Sequence, residues 1–235
     1  MSIVSRPLRV WSLVFCLSLA FMASSARAQA IGGNPTLDRH LSRLDLAINA
    51  VGSFNKSTSG TNNLGVKIDQ VPGNTLGALI TLRYTKSPYF GLEFNYTYAR
   101  YTQKFRCNTG TQNFPCTTGT DIYFPGGIQN NASEYSFGYV IHPPREFFGA
   151  KPFVSLGLGA TAFRPTTSGG QGLSSRARMT YFYAVGLEKE LTPHFGIRGQ
   201  LRQTFFKAPD FGQNLLTLQQ QTWTIEPGAG FVIHF

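Results

Sequence analysis

The chain has 235 residues and a formal net charge of +10, from 21 Lys and Arg against 11 Asp and Glu. Beyond residue 30 no run approaches the roughly 20 consecutive apolar residues of a membrane-spanning helix, which excludes a helical membrane protein. The basic balance belongs to a chain that starts like an exported one, so it does not point to nucleic acid.

Residues 1–28 combine Arg6 and Arg9, an apolar centre over 10–22, and the small-residue end Ala26-Arg27-Ala28. This is the layout of a cleaved secretory signal with an A-x-A site, and it is set aside from the fold. Ala28-Gln29-Ala30 satisfies the same rule, so cleavage after Ala30 stands as the alternative. Cys16 follows the bulky Phe15 and precedes further apolar residues, unlike a lipoprotein cysteine, and it leaves with the signal. Loss of Arg6, Arg9 and Arg27 brings the charge to +7 over 207 residues, the length of one ordinary domain. Residues 29–43 carry Gly-Gly-Asn-Pro without a sustained period and read as a short leader on the periplasmic side.

From Leu44 onward apolar residues recur at every second position, the signature of strands with one oily face. Eight such stretches follow, at 44–54, 74–85, 90–101, 131–141, 153–163, 179–190, 195–206 and 222–235. The third is the cleanest, with Phe90, Leu92, Phe94, Tyr96 and Tyr98 against Gly91, Glu93, Asn95, Thr97 and Ala99. In the last, Ile225, Pro227, Ala229, Phe231, Ile233 and Phe235 oppose Glu226, Gly228, Gly230, Val232 and His234. Short turns at 86–89 and 191–194 contain Pro88 and Pro193, and His142-Pro143-Pro144-Arg145 ends the fourth stretch because Pro cannot donate to a ladder. The long connections are 55–73, 102–130, 164–178 and 207–221, polar by composition.

Alternation of long and short connections between strands of barrel-crossing length predicts an all-β fold, an eight-stranded antiparallel up-and-down transmembrane β-barrel. Closure has a physical motive, since an open sheet edge in hydrocarbon leaves unpaired backbone groups at several kcal/mol each. Phe54, Tyr84, Phe90, Tyr98, Tyr135, Tyr181, Phe205, Trp223 and Phe235 gather near the ends of the oily faces, where interfacial aromatic girdles belong. The polar faces carry Arg83, Glu93, Glu134, Glu188, Arg198, Arg202 and Glu226. An eight-stranded interior is just wide enough for side chains to fill it, so these charges are expected to pair into a plug; a narrow polar pore is the competing reading.

Cys107 and Cys116 are expected to form a disulfide across a loop, as two cysteines without nearby histidines are too few ligands for zinc. The outer loops hold Lys56, Lys67, Lys104, Arg106, Arg164, Arg176, Arg178 and Lys207 against Asp69, Asp121 and Asp210, a basic surface suited to lipopolysaccharide phosphates or simply to solvent. His40, His142, His194 and His234 fall in the leader, in short turns or at the inner end of the last strand. No Gly-x-Ser-x-Gly, phosphate loop or metal-ligand cluster accompanies them, so no enzyme and no cofactor are expected.

With its signal, its eight-strand rhythm, Lys151-Pro152-Phe153-Val154-Ser155-Leu156-Gly157-Leu158-Gly159 and the ending Phe231-Val232-Ile233-His234-Phe235, the chain resembles the small outer-membrane barrels of the OmpA/OmpX type. The resemblance implies the outer membrane of a Gram-negative-type bacterium, lipid and lipopolysaccharide as surroundings, and a monomer. It also implies that Phe231, Ile233 and Phe235 serve as a signal to the barrel-assembly machinery. A structural or surface-interaction role heads the functional expectations, covering membrane integrity, adhesion or ligand binding through the basic loops. A narrow passive channel in the manner of OmpW-like barrels comes second, and an outer-membrane hydrolase last.

Overall fold

The computed structural model describes residues 39–167, 169–170 and 172–235. The expected signal and nearly all of the leader lie outside the described residues. Residues 39–41 form a helical turn that groups with the N-terminal unit, and Ser42–Phe235 form the second unit. Its strands are β1 (Leu44–Asn55), β2 (Thr58–Thr61), β3 (Lys67–Pro72), β4 (Thr75–Ser87), β5 (Phe90–Thr109), β6 (Ile128–Ile141), β7 (Lys151–Pro165), β8 (Arg176–Thr192), β9 (Phe195–Lys207) and β10 (Gln221–His234). One short 3₁₀ turn, Asn214–Leu216, lies between β9 and β10.

Eight of these strands close a ring in the order β1, β4, β5, β6, β7, β8, β9, β10, every neighbour antiparallel. The seam is β1 against β10, with Asp45 opposite His234 and Ala50 opposite Ala229. Backbone approach there is close enough that a Cβ on Gly230 would lie 2.0 Å from the Ile48 carbonyl oxygen, so the seam needs glycine at this position. Closure pairs the backbone groups that an open edge would leave bare in lipid.

The period of two sorts the side chains onto the two surfaces. On β6, Tyr135, Phe137, Tyr139 and Ile141 point outward while Glu134, Ser136, Gly138 and Val140 are buried inside. Phe137 is 66% and Tyr139 67% exposed, and Leu92, Leu156, Leu158, Val185, Leu201 and Phe231 extend the same apolar band around the wall. A soluble monomer rarely leaves so continuous an apolar surface to water; a barrel in lipid requires it. Tilted ring pairs, Phe94 with Phe137 at 4.9 Å and Tyr96 with Tyr135 at 5.0 Å, brace adjacent strands on this outer face.

The long connections differ from the polar loops expected of them. Residues 55–73 contain the hairpin β2–β3, and β3 adds to the free edge of β5, with Gln70 opposite Phe105. Strand β5 does not stop at 101; it runs to Thr109 and stays paired with β6 up to Gln103 opposite Ile128. The loop expected at 102–130 is therefore confined to the residues between Thr109 and Ile128. The inward phase of this projection supplies Ile68, Phe105, Cys107 and Ile128, all fully buried. Ile68, Phe105 and Ile128 pack with Phe163 and Phe206 of the barrel and with Phe211, Leu216 and Leu218 of the 208–220 connection. At about 1.5–3 kcal/mol for each large apolar side chain removed from water, this is a second core, a hydrophobic cap on the long-loop end.

Candidate functional site

The barrel interior holds two stacked ionic layers. Nearer the chain ends, Arg83 reaches across the lumen, its Nη2 3.3 Å from Glu93 Oε2 and its Nη1 3.1 Å from Glu188 Oε2. Arg198 Nη2 stands 3.9 Å from the same Glu93 oxygen and Arg198 Nε donates to Gln200 Oε1 at 3.0 Å. Both guanidinium groups contact the Phe153 ring, Arg83 at 4.7 Å and Arg198 at 4.1 Å from its centroid, a cation–π attraction that offsets part of the repulsion between them. Asn95 Nδ2 donates to Glu93 Oε1 at 3.0 Å, and Asn95 Oδ1 accepts from Thr81 Oγ1 at 2.6 Å.

The second layer centres on Arg202. Its Nη2 pairs with Glu134 and donates to Ser136 Oγ at 3.1 Å, while its Nη1 pairs with Glu226 at 2.8 Å and donates to Thr97 Oγ1 at 3.2 Å. The Phe182 ring stacks 4.4 Å from this guanidinium. All seven interior charges named from the sequence thus face the lumen, on six of the eight ring strands. Arginine suits such positions because its planar fork meets two carboxylates at once and holds its charge when buried.

Between the Arg202 layer and the cap lies a cavity of about 30 Å³, bordered by Thr97, Tyr101, Glu134, Phe163, Thr224 and Glu226. That is the space of roughly one water molecule. Above it lies the hydrophobic cap. The opposite end is open: a vestibule of about 590 Å³ is lined by Asp45, His142, Lys151, Glu188, Glu190 and His234, among others. His234 Nδ1 lies 2.6 Å from Asp45 Oδ1, and Lys151 Nζ lies 2.6 Å from Glu190 Oε1. His142 sits in the turn after β6, its Nε2 3.3 Å from Arg83 Nη1. Burial, reinforced by the Arg83 charge, pushes its pKa down to about 4, so the ring is neutral near pH 7 and accepts this bond. Among the described residues no group of three His, Cys, Asp or Glu could hold a metal ion.

At the long-loop end, Cys107 and Cys116 form a disulfide with Cα atoms 6.1 Å apart. Cys107 is fully buried, and Cys116 packs against the cap. The basic loop residues are not one cluster. Arg106 pairs with Asp121 at 3.4 Å, and Arg178 and Arg176 share Asp210 at 2.8 and 3.7 Å. Burial opposes the Asp210 charge, but the Gly212 N–H and the Arg178 guanidinium outweigh it and hold the carboxyl below its ordinary range. Lys56 lies over the Trp223 ring, 5.4 Å from its centroid, and Arg164 and Lys207 are exposed at the rim. Arg100, placed on a strand and left out of the basic loop set, is exposed there too and donates to Gln129 Oε1 at 2.7 Å. Phe231, Ile233 and Phe235 are on the outer wall, and Phe231 stacks on Phe195 at 5.3 Å.

The cap was missed from sequence because it is built from connections. Two signals were present: Tyr101, Gln103, Phe105 and Cys107 continue the alternation of β5, and Phe211, Leu215, Leu216 and Leu218 are too apolar for a solvated loop.

The sequence matches the family model described as outer membrane protein beta-barrel domain over residues 15–231. The solved structure of the outer membrane protein OprG from Pseudomonas aeruginosa matches with a TM-score of 0.53 at 12% identity, covering 82% of this chain and 95% of that one. Neisserial surface protein A matches with a TM-score of 0.49 at 11% identity, covering 82% and 97%. At such identities the likeness is one of fold. No curated protein sequence matches the chain.

Proposed function

We propose, from the premise that this chain belongs to the outer membrane protein beta-barrel domain family, that it acts as a sealed surface barrel, holding its place in the outer membrane and meeting external ligands with its rim and loops. The observation that carries this reading is the filled lumen. Arg202 bonded to Glu134, Glu226, Thr97 and Ser136 sits directly beneath a hydrophobic roof, leaving about 30 Å³ between them. A conducting pore needs a continuous wet path, and buried ion pairs that satisfy one another do not supply one.

In this reading residues 1–28 are removed on export, 29–43 lead into the barrel from the periplasm, and the long connections face outward. Phe231, Ile233 and Phe235 then serve as the assembly signal, the barrel works as a monomer, and it catalyses no reaction. A narrow passive channel for small solutes is the second reading, favoured by the open vestibule of about 590 Å³ at the short-turn end. Solute release from vesicles loaded with small sugars separates the two. The sealed barrel releases sugar at the protein-free rate; faster release from wild-type vesicles would overturn it. Release only after residues 209–219 are replaced by a Gly-Ser linker would make the cap the seal.

A further inference from the structure

The outer wall carries a notch of about 280 Å³ between β8 and β9 at the long-loop rim, bordered by Arg178, Met179, Tyr181, Phe205, Lys207 and Gln221 among others. Its lower border is apolar: Tyr181 is opposite Phe205, and Phe205 is opposite Trp223 on β10. Its upper border is cationic. Lys207 follows Phe205 by two residues on the same face and is exposed. Lys56 brings a second ammonium to the same level, its backbone N–H donating to the Trp223 carbonyl at 3.0 Å and its side chain lying over the indole. Arg178 gives one nitrogen to Asp210, while its Nε is buried with no hydrogen-bond partner. Asp210 also receives Arg176, so this sector sets Lys56, Lys207, Arg176 and Arg178 against one carboxylate.

A site with cations above and an aromatic, apolar floor below fits a ligand that is anionic at one end and oily at the other. Ammonium and guanidinium groups make charge-assisted hydrogen bonds to phosphate oxygens, and Tyr, Trp and Phe favour the level of lipid headgroups. A free phosphate would leave the apolar floor unused, and a neutral lipid would leave the cations unused. We propose that this notch binds the phosphate of a phosphorylated lipid of the surrounding leaflet. Lys207 Nζ holds the phosphate, Arg178 adds its guanidinium charge, Lys56 meets a second anionic group along the rim, and an acyl chain lies along Met179, Tyr181 and Phe205. The site gives the surface barrel a partner, and it rests on the membrane placement proposed above but not on the sealed lumen.

The test uses purified full-length protein in phosphatidylcholine nanodiscs doped with lipid A that carries both phosphates or none, counting retained lipid by native mass spectrometry. Wild type is expected to retain the phosphorylated form on the order of tenfold better. The double variant Lys56→Gln/Lys207→Gln loses most of that preference with its unboiled gel mobility unchanged. Lys67→Gln/Lys104→Gln removes the same charge from another sector and keeps the preference. Equal retention of the two lipids by wild type, or equal loss in both double variants, overturns the proposal, the latter by reducing it to diffuse attraction. Displacement of the lipid by millimolar inorganic phosphate also overturns it. A leaky barrel would show as sugar release with the lipid preference intact, so the two proposals fail separately.

Discussion

Replacing Arg202 by Met removes the cation that two buried carboxylates share. Arg202 is 1% exposed, pairs with Glu134 and Glu226, donates to Thr97 and Ser136, and stacks on Phe182. Removing one partner of a buried pair costs about 3–5 kcal/mol because the other charge stays uncompensated. Here two carboxylates lose the cation they share, and the middle of that range, about 4 kcal/mol, is the expected loss. With a urea slope of about 2 kcal/mol per molar, that loss lowers the unfolding midpoint by roughly 2 M. The assay is equilibrium urea unfolding in phosphatidylcholine vesicles, followed by the fluorescence of Trp223 and by the mobility difference between boiled and unboiled protein. Adding Glu134→Gln and Glu226→Gln to Arg202→Met removes the stranded charges and is expected to recover most of the midpoint. An unchanged midpoint in Arg202→Met would refute the ionic plug, and a triple variant as unstable as the single one would reduce Arg202 to packing.

Three further perturbations probe the seam, the disulfide loop and the Asp210 contact. Gly230→Ala forces a methyl against the Ile48 carbonyl and is expected to lower stability by about 1–3 kcal/mol in the same urea assay. Cys107→Ser/Cys116→Ser opens a loop of sequence separation 9, worth about 2–3 kcal/mol to local order. Faster proteolytic nicking of 110–127 should follow, while the gel mobility of the barrel stays as it is. Asp210→Asn loosens the tie between the 208–220 connection and β8, seen as faster amide exchange around Phe211 and Leu216. Because the folded Asp210 carboxyl titrates below its unfolded value, its contribution is complete above the ordinary aspartate range and is lost as the pH falls below it. Protection of the Phe211 amide, taken relative to the intrinsic exchange rate at each pH, should fall in acid in wild type and not in the Asn variant.

Much of the barrel was legible because period two decides which side of a strand a residue faces, and lipid on one side makes that pattern strict. Glu93 between Leu92 and Phe94, or Arg202 between Leu201 and Gln203, could therefore be assigned to the lumen from the alternation alone. Their pairing could not be read this way. Arg202 meets Glu134 across 68 positions of sequence, a contact set by the register of strands that are far apart in the chain. The ends of β5 and the cap were hidden for a different reason. Polar residues such as Gln103, Lys104 and Arg106 mask an alternation that continues above the membrane, where neither face meets lipid and the outer one meets water. Phe211 and Leu216 lie in a connection with no period at all, and only packing against Phe163 and Phe206 gives them a place.

Single-channel recording on the purified protein in planar bilayers tests the sealed lumen most directly. With Arg83 and Arg202 tied to their carboxylates and the mouth roofed by Phe105, Phe211 and Leu216, the account predicts a flat baseline at both voltage polarities. Stepwise conductance that appears with wild-type protein and persists across voltages would contradict it.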